Sequence, residues 1–152
     1  MDPTLAGSIL QMLRRDLGAF EDELERFPSD EAVWVLPEGI ANSAGTLALH
    51  VSGNLLHYVG ALLGGTGYVR DRAAEFSQRG LSREELRERL QEARAVVDQV
   101  LPGLSDESLR DPFPDPPEAL PRATTVLVLL HLVTHLAYHL GQANYHRRLT
   151  VG

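Results

Sequence analysis

Four stretches of apolar residues recur at helical spacing in this chain, and the first three are cut off by proline or glycine. The first is the clearest. Leu5, Ile9, Leu13, Leu17, Phe20, Leu24 and Phe27 step by three and four, which places them on one face of a long helix. Asp2-Pro3 reads as its start, a capping carboxylate followed by proline at the first helical position. Pro28 stops it. After a connection over 28–45 that contains Trp34, Pro37 and Gly39, Asn42 or Ser43 offers a cap for a second helix over roughly 43–63. That helix is apolar nearly all round and should sit deep in the domain. Gly64-Gly65 ends it.

The stretch 64–80 has no clean period and reads as an ordered loop. Ser82 and Glu85 form a capping box for a third helix, with Leu86, Leu90, Ala93, Val97 and Leu101 on its inner face and Glu85 four residues before Arg89 on the outer one. Residues 102–123 hold six prolines and read as a crossover without a helix. Thr124 or Thr125 then opens a fourth helix that runs to about Leu149. Four helices and no convincing strand predict an all-α four-helix bundle with a long proline-rich crossover before the last helix. No internal repeat or linker divides the chain, so residues 1–152 read as a single domain.

Composition narrows the function. The formal charge is −7 with no cluster of Lys or Arg, which disfavours nucleic acid as a partner. There are no cysteines, which excludes disulfides, thiolate ligands, iron–sulfur clusters and a cysteine nucleophile. The Met1-Asp2-Pro3-Thr4 start lacks a signal-peptide pattern. The most apolar helix carries three histidines between Val126 and Leu140, which reads as too polar for a lipid-facing span. No membrane and a cytoplasmic location are therefore expected.

Histidine placement carries the chemistry. His50 and His57 lie on the second helix; His131, His135, His139 and His146 lie on the fourth. A four-residue step leaves two side chains on one face, about 5–6 Å apart at Cβ, so two imidazoles can converge on one ion. His131 and His139 are about 12 Å apart along the axis and cannot share one easily. The chelating pair is 131/135 or 135/139. Helical phase favours the second, because Leu129, Leu132, Leu136, His139 and Ala143 step by 3, 4, 3 and 4 along the core stripe, with His135 at its edge. A third ligand must come from elsewhere, and His50 sits mid-helix where an unpaired imidazole would be costly. Three histidines leave one position of a tetrahedral site open. The competing reading is a set of hydrogen-bonded core histidines, which is the reading preferred for His57, His131 and His146. The Glu-x-x-His repeats of di-iron bundles and a His-Glu-x-x-His motif are both absent.

The segment His135-Leu-Ala-Tyr-His139-Leu-Gly-Gln142 resembles the last-helix signature of the DinB/YfiT-like superfamily. Asn42-Ser-Ala-Gly-Thr-Leu-Ala-Leu-His50-Val-Ser-Gly-Asn54 resembles the second-helix signature of one branch, a domain family of unknown function, and Arg70-Asp-Arg-Ala-Ala-Glu75-Phe76 looks like that branch's following loop. The resemblance spans essentially the whole chain. It implies a four-helix bundle, often a homodimer, with a nickel- or zinc-type ion on His50, His135 and His139. It also implies a small-molecule substrate. Some relatives transfer low-molecular-weight thiols such as bacillithiol, mycothiol or glutathione; one group is a thiol-dependent maleylpyruvate isomerase; YfiT-like relatives are described as metal-dependent hydrolases.

On that basis the chain is expected to be a metal-dependent thiol transferase, with a hydrolase or a non-catalytic bundle as alternatives. Any thiol must arrive as a cosubstrate. Gln142 and Asn54 are placed to orient a ligand or a nearby water. Arg72 is a candidate for holding a cosubstrate carboxylate or for pairing with Glu75 at the surface, and Glu75 is a candidate base. Tyr138 and Tyr145 read as packing residues with a polar tip.

Overall fold

The computed structural model describes residues 3–150. Six helices follow one another: α1 (Leu5–Arg26), α2 (Ala44–Leu55), α3 (Arg72–Ser77), α4 (Arg83–Val100), α5 (Asp106–Leu109) and α6 (Thr125–Thr150). A π-helical stretch, Leu56–Leu63, continues α2 as one rod, and short 3-10 turns occupy Ala32–Trp34 and Leu101–Gly103. Among the described residues there is no strand, only an isolated antiparallel bridge between Pro112 and Thr124. The four long helices form the expected all-α bundle.

α1 and α2 each pack against both α4 and α6, so α1 and α2 stand at opposite corners. The connection from α1 to α2 and the proline-rich one from α4 to α6 therefore each cross a diagonal, which accounts for their length. The core is built from Leu13, Leu17, Phe20 and Leu24 of α1, Leu47, Val51 and Leu55 of α2, Leu86, Leu90 and Val97 of α4, and Leu129, Leu132 and Leu136 of α6. A buried carboxylate also ties α1 to α6: Glu23 accepts from Arg147 Nε at 2.6 Å and from Asn144 Nδ2 at 2.7 Å.

Several local expectations are corrected. The cap of α1 is Thr4, whose Oγ1 accepts from the Gly7 N–H; Pro3 precedes the helix, and Asp2 lies outside the described residues. Leu5 is exposed rather than on the buried face, because the inward stripe begins at Ala6. Ser43, not Asn42, caps α2. The stretch 64–80 is not all loop: Asp71 accepts from the Ala74 N–H and starts α3. The crossover contains the short helix α5, capped by Ser105. The Ser82–Glu85 capping box forms as expected. α6 is long and apolar enough to span a membrane by composition, with mean hydropathy 1.3 over its most apolar 18 residues, so its histidines do not make it too polar. In this fold its inner face is committed to α1 and α2.

Candidate metal centre

The site lies where α2 and α6 meet, with α3 folded over it. His50 on α2 is buried, and His135 and His139, one turn apart on α6, are half-buried. His135 Nε2 lies 3.0 Å from His50 Nε2 and 3.2 Å from His139 Nε2. The three rings offer one nitrogen each within 4.8 Å of one another. His131 is left outside this group. Its ring centroid is 6.0 Å from that of His135, so the open choice between the two helical pairs falls to 135/139.

The far nitrogens of two rings are anchored. His50 Nδ1 donates to Glu75 Oε1 at 3.1 Å, and His139 Nδ1 donates to Gln142 Oε1 at 2.7 Å. With both N–H groups committed outward, the Nε2 atoms of His50 and His139 carry lone pairs, and both face His135 Nε2. A single N–H on His135 Nε2 can satisfy only one of them. His135 Nδ1 is itself buried without a hydrogen-bond partner. With the His135 proton on Nδ1 instead, three converging lone pairs repel one another unless a cation sits among them. Two of the three spacings suit one, since bonds of about 2.0–2.1 Å to nitrogen give ligand edges of roughly 3.0–3.4 Å. The residues present therefore fit a histidine-bound divalent ion.

Electrostatics point the same way. Burial, followed by the neighbouring His139, His50 and His131, holds the His135 pKa down to about 3. Burial also lowers His139, with the Gln142 hydrogen bond opposing and His50 adding to it. Both rings are neutral at physiological pH, the form a metal requires. Burial alone would raise Glu75. Hydrogen bonds from His50 and Arg70, with the Arg70 charge, bring it net below the usual carboxylate range, so it stays an anion.

Glu75 is the residue on which the surroundings converge. Arg70 clamps it through Nε to Oε2 at 2.8 Å and Nη2 to Oε1 at 3.0 Å. Phe76, beside it on α3, packs against the His50 ring at a tilt, with centroids 4.8 Å apart. Glu75 can approach α2 so closely because residue 53 is glycine; a Cβ there would overlap the carboxylate. A carboxylate that accepts from the outer nitrogen of a ligand histidine fixes its tautomer and orientation.

Gln142 and Glu75, candidates for orienting a ligand and for acting as a base, both lie beside the histidines, but Glu75 orients His50 and is not a free base. Arg72 is not its partner. That role belongs to Arg70, while Arg72 lies over the Phe76 ring at 5.1 Å. Asn54 is buried and, among the described residues, bonds none of the three histidines. Nor are His57, His131 and His146 hydrogen-bonded core residues: only His146 is buried, and no hydrogen bond involving their rings occurs among the described residues. Tyr138 and Tyr145 are exposed. Arg70 and Gly53 were missed as functional residues. The available signal was Asp71 as a helix cap, which places Glu75 on a short helix with Arg70 just before it.

Comparison with known proteins agrees with this bundle. Residues 12–143 match the family model of the DinB superfamily, and the chain belongs to that superfamily, whose members often bind metal. The crystal structure of a conserved protein from Enterococcus faecalis shares the fold, with a TM-score of 0.74, 20% identity and 98% of each chain covered. No curated protein matches the chain.

Proposed function

We propose that the chain binds one divalent ion, nickel or zinc, through Nε2 of His50, His135 and His139, and transfers a low-molecular-weight thiol of the bacillithiol, mycothiol or glutathione type to a small electrophile. The observation that carries this reading is the convergence of three imidazole nitrogens whose outer partners, Glu75 and Gln142, fix two of the rings. The ion supplies Lewis acidity that draws a thiol or a water toward its conjugate base near neutral pH.

Glu75 bears on the choice between those two nucleophiles. It is the carboxylate beside the triad, and both its oxygens are taken, by His50 and Arg70. It is thus a positioning residue and not a base for water. A thiol, with a free pKa of about 8.5, starts closer to its conjugate base than water does, which supports it as the nucleophile. The chain has no cysteine, so the thiol is a cosubstrate. In the reaction the thiolate sulfur forms a bond to the electrophilic carbon, the leaving group departs with its electron pair, and the thiol proton passes to solvent.

The working unit in this reading is a cytoplasmic homodimer of single-domain chains, acting on small molecules and not on nucleic acid or membrane. The apolar face of α1 is buried within the bundle and is not free to pair. Exposed Leu127, Leu130 and Tyr138 on α6 support pairing instead.

The test is a conjugation assay on zinc- or nickel-loaded protein with 1-chloro-2,4-dinitrobenzene and each thiol in turn. Turnover that requires both metal and thiol supports transfer. Thiol-independent cleavage of p-nitrophenyl acetate, with no conjugation, would make the protein a hydrolase, and neither activity would leave a non-catalytic bundle.

A further inference from the structure

Between the loop that precedes α2 and the last turns of α6 lies a cleft of about 400 Å³. Ile40, Tyr145 and Leu149 give it apolar walls, and Asn42, Gln142 and His146 are among its polar groups. None of the described residues lining it carries a formal charge, although the chain as a whole is strongly acidic. Its volume is in the range of small-molecule sites, which run from about 300 to 1,000 Å³ with apolar walls and a few placed polar groups.

His146 makes the cleft more than a surface hollow. It is 7% exposed and lines the cleft, yet among the described residues its ring makes no hydrogen bond. A ligand group in the cleft would give that imidazole a hydrogen-bond partner. A neutral imidazole both donates and accepts, so it suits a hydroxyl, carbonyl or amide. Gln142 connects the cleft to the metal centre: it lines the cleft while its Oε1 holds His139 Nδ1 at 2.7 Å. His146 follows His139 by two helical turns, about 10 Å along the axis, which is the reach of a small molecule.

We propose that this cleft binds the neutral end of the molecule on which the histidine site acts, an aromatic or branched-alkyl group carrying one hydrogen-bonding oxygen or nitrogen that meets His146. The proposal rests on the functional reading above for the neighbouring chemistry, but the cleft is testable without it.

The probes are benzyl alcohol, toluene and benzoate, titrated into isotope-labelled full-length protein and followed by NMR. Benzyl alcohol is expected to shift the Ile40 and Leu149 amides and the His146 ring saturably, in metal-free and in metal-loaded protein alike. Benzoate is expected to bind more weakly, having no cation to meet. His146→Phe should weaken benzyl alcohol about fivefold, the loss of one neutral hydrogen bond, and leave toluene unchanged. Ile40→Trp, which fills the cleft from the loop side, should abolish binding of both; this arm holds even if His146→Phe fails to fold. In cobalt(II)-loaded protein the bound probe's signals should shift paramagnetically. No saturable shift in the cleft, shifts that follow protein concentration instead of probe, or cleft binding without a paramagnetic effect in cobalt-loaded protein would overturn the proposal. Failure to take up cobalt with cleft binding intact would instead overturn the metal reading and leave the cleft as a ligand site.

Discussion

Gly53 and Glu75 fit together as a backbone and a carboxylate with no side chain between them. Glu75 lies against α2 at Gly53, and from there its Oε1 accepts from His50 Nδ1, one turn earlier on the same helix. The orientation of a metal-ligating ring thus depends on a missing Cβ.

Gly53→Ala should therefore displace Glu75 while keeping the bundle, since alanine favours a helix interior over glycine. Removing a residue that orients a ligand histidine typically lowers metal affinity about 10–100-fold. Competition with a chromophoric chelator should show a loss of that size, with helical circular dichroism unchanged. Wild-type affinity in the variant would mean that Glu75 does not position His50.

Arg70 and Arg72 make a paired test. Arg70 and Glu75 are both largely buried, and removing one partner of a buried pair costs about 3–5 kcal/mol. Arg70→Ala should lower the urea midpoint accordingly and weaken metal binding through Glu75. Arg72, which lies over Phe76 near the surface, should cost about 1 kcal/mol or less on replacement by alanine. Equal effects would contradict the assignment of the clamp to Arg70.

Acid should destabilise the metal-free protein over a defined window. His135 has a folded pKa of about 3, below the unfolded value of about 6.5. Between those values the unfolded state binds the extra proton, so stability is full above about pH 6.5 and falls as pH drops toward about 3. His139 and His146 are shifted in the same direction. Glu75, also depressed, adds a loss below the usual carboxylate pKa. Urea midpoints measured from pH 7.5 to 4 should decline steadily. A midpoint that rises on acidification would show that the histidines are not held neutral by burial.

The frame of the bundle was legible because it follows from local rules. Leu13, Leu17, Phe20 and Leu24 share a face by periodicity, and Ser82 with Glu85 satisfies two helix-end donors wherever that pair precedes an apolar run. The convergence of His135 and His139 is likewise a helical repeat. What was not legible depends on distant chain segments. α3 is only six residues long, too short to show a period. The choice of Arg70 over Arg72 is made by how the loop folds back on α2, and the role of Gly53 exists only once Glu75 arrives. Nothing local marks Glu23 either, since its role is set by Arg147 and Asn144 of α6, far along the chain.

That last contact gives a stability prediction independent of the metal. Glu23→Ala leaves Arg147 without its carboxylate and should cost about 3 kcal/mol, read as a drop in the midpoint of thermal unfolding. An unchanged midpoint would mean that the α1–α6 tie contributes nothing net.

The most direct test of the central claim is metal stoichiometry by mass spectrometry on tag-free protein: wild type, His50→Ala, His135→Ala and His146→Ala. The account predicts about one nickel or zinc ion per wild-type chain, lost in His50→Ala and His135→Ala and retained in His146→Ala. Wild-type protein that takes up no metal even after reconstitution, or equal loss in all three variants, would contradict it.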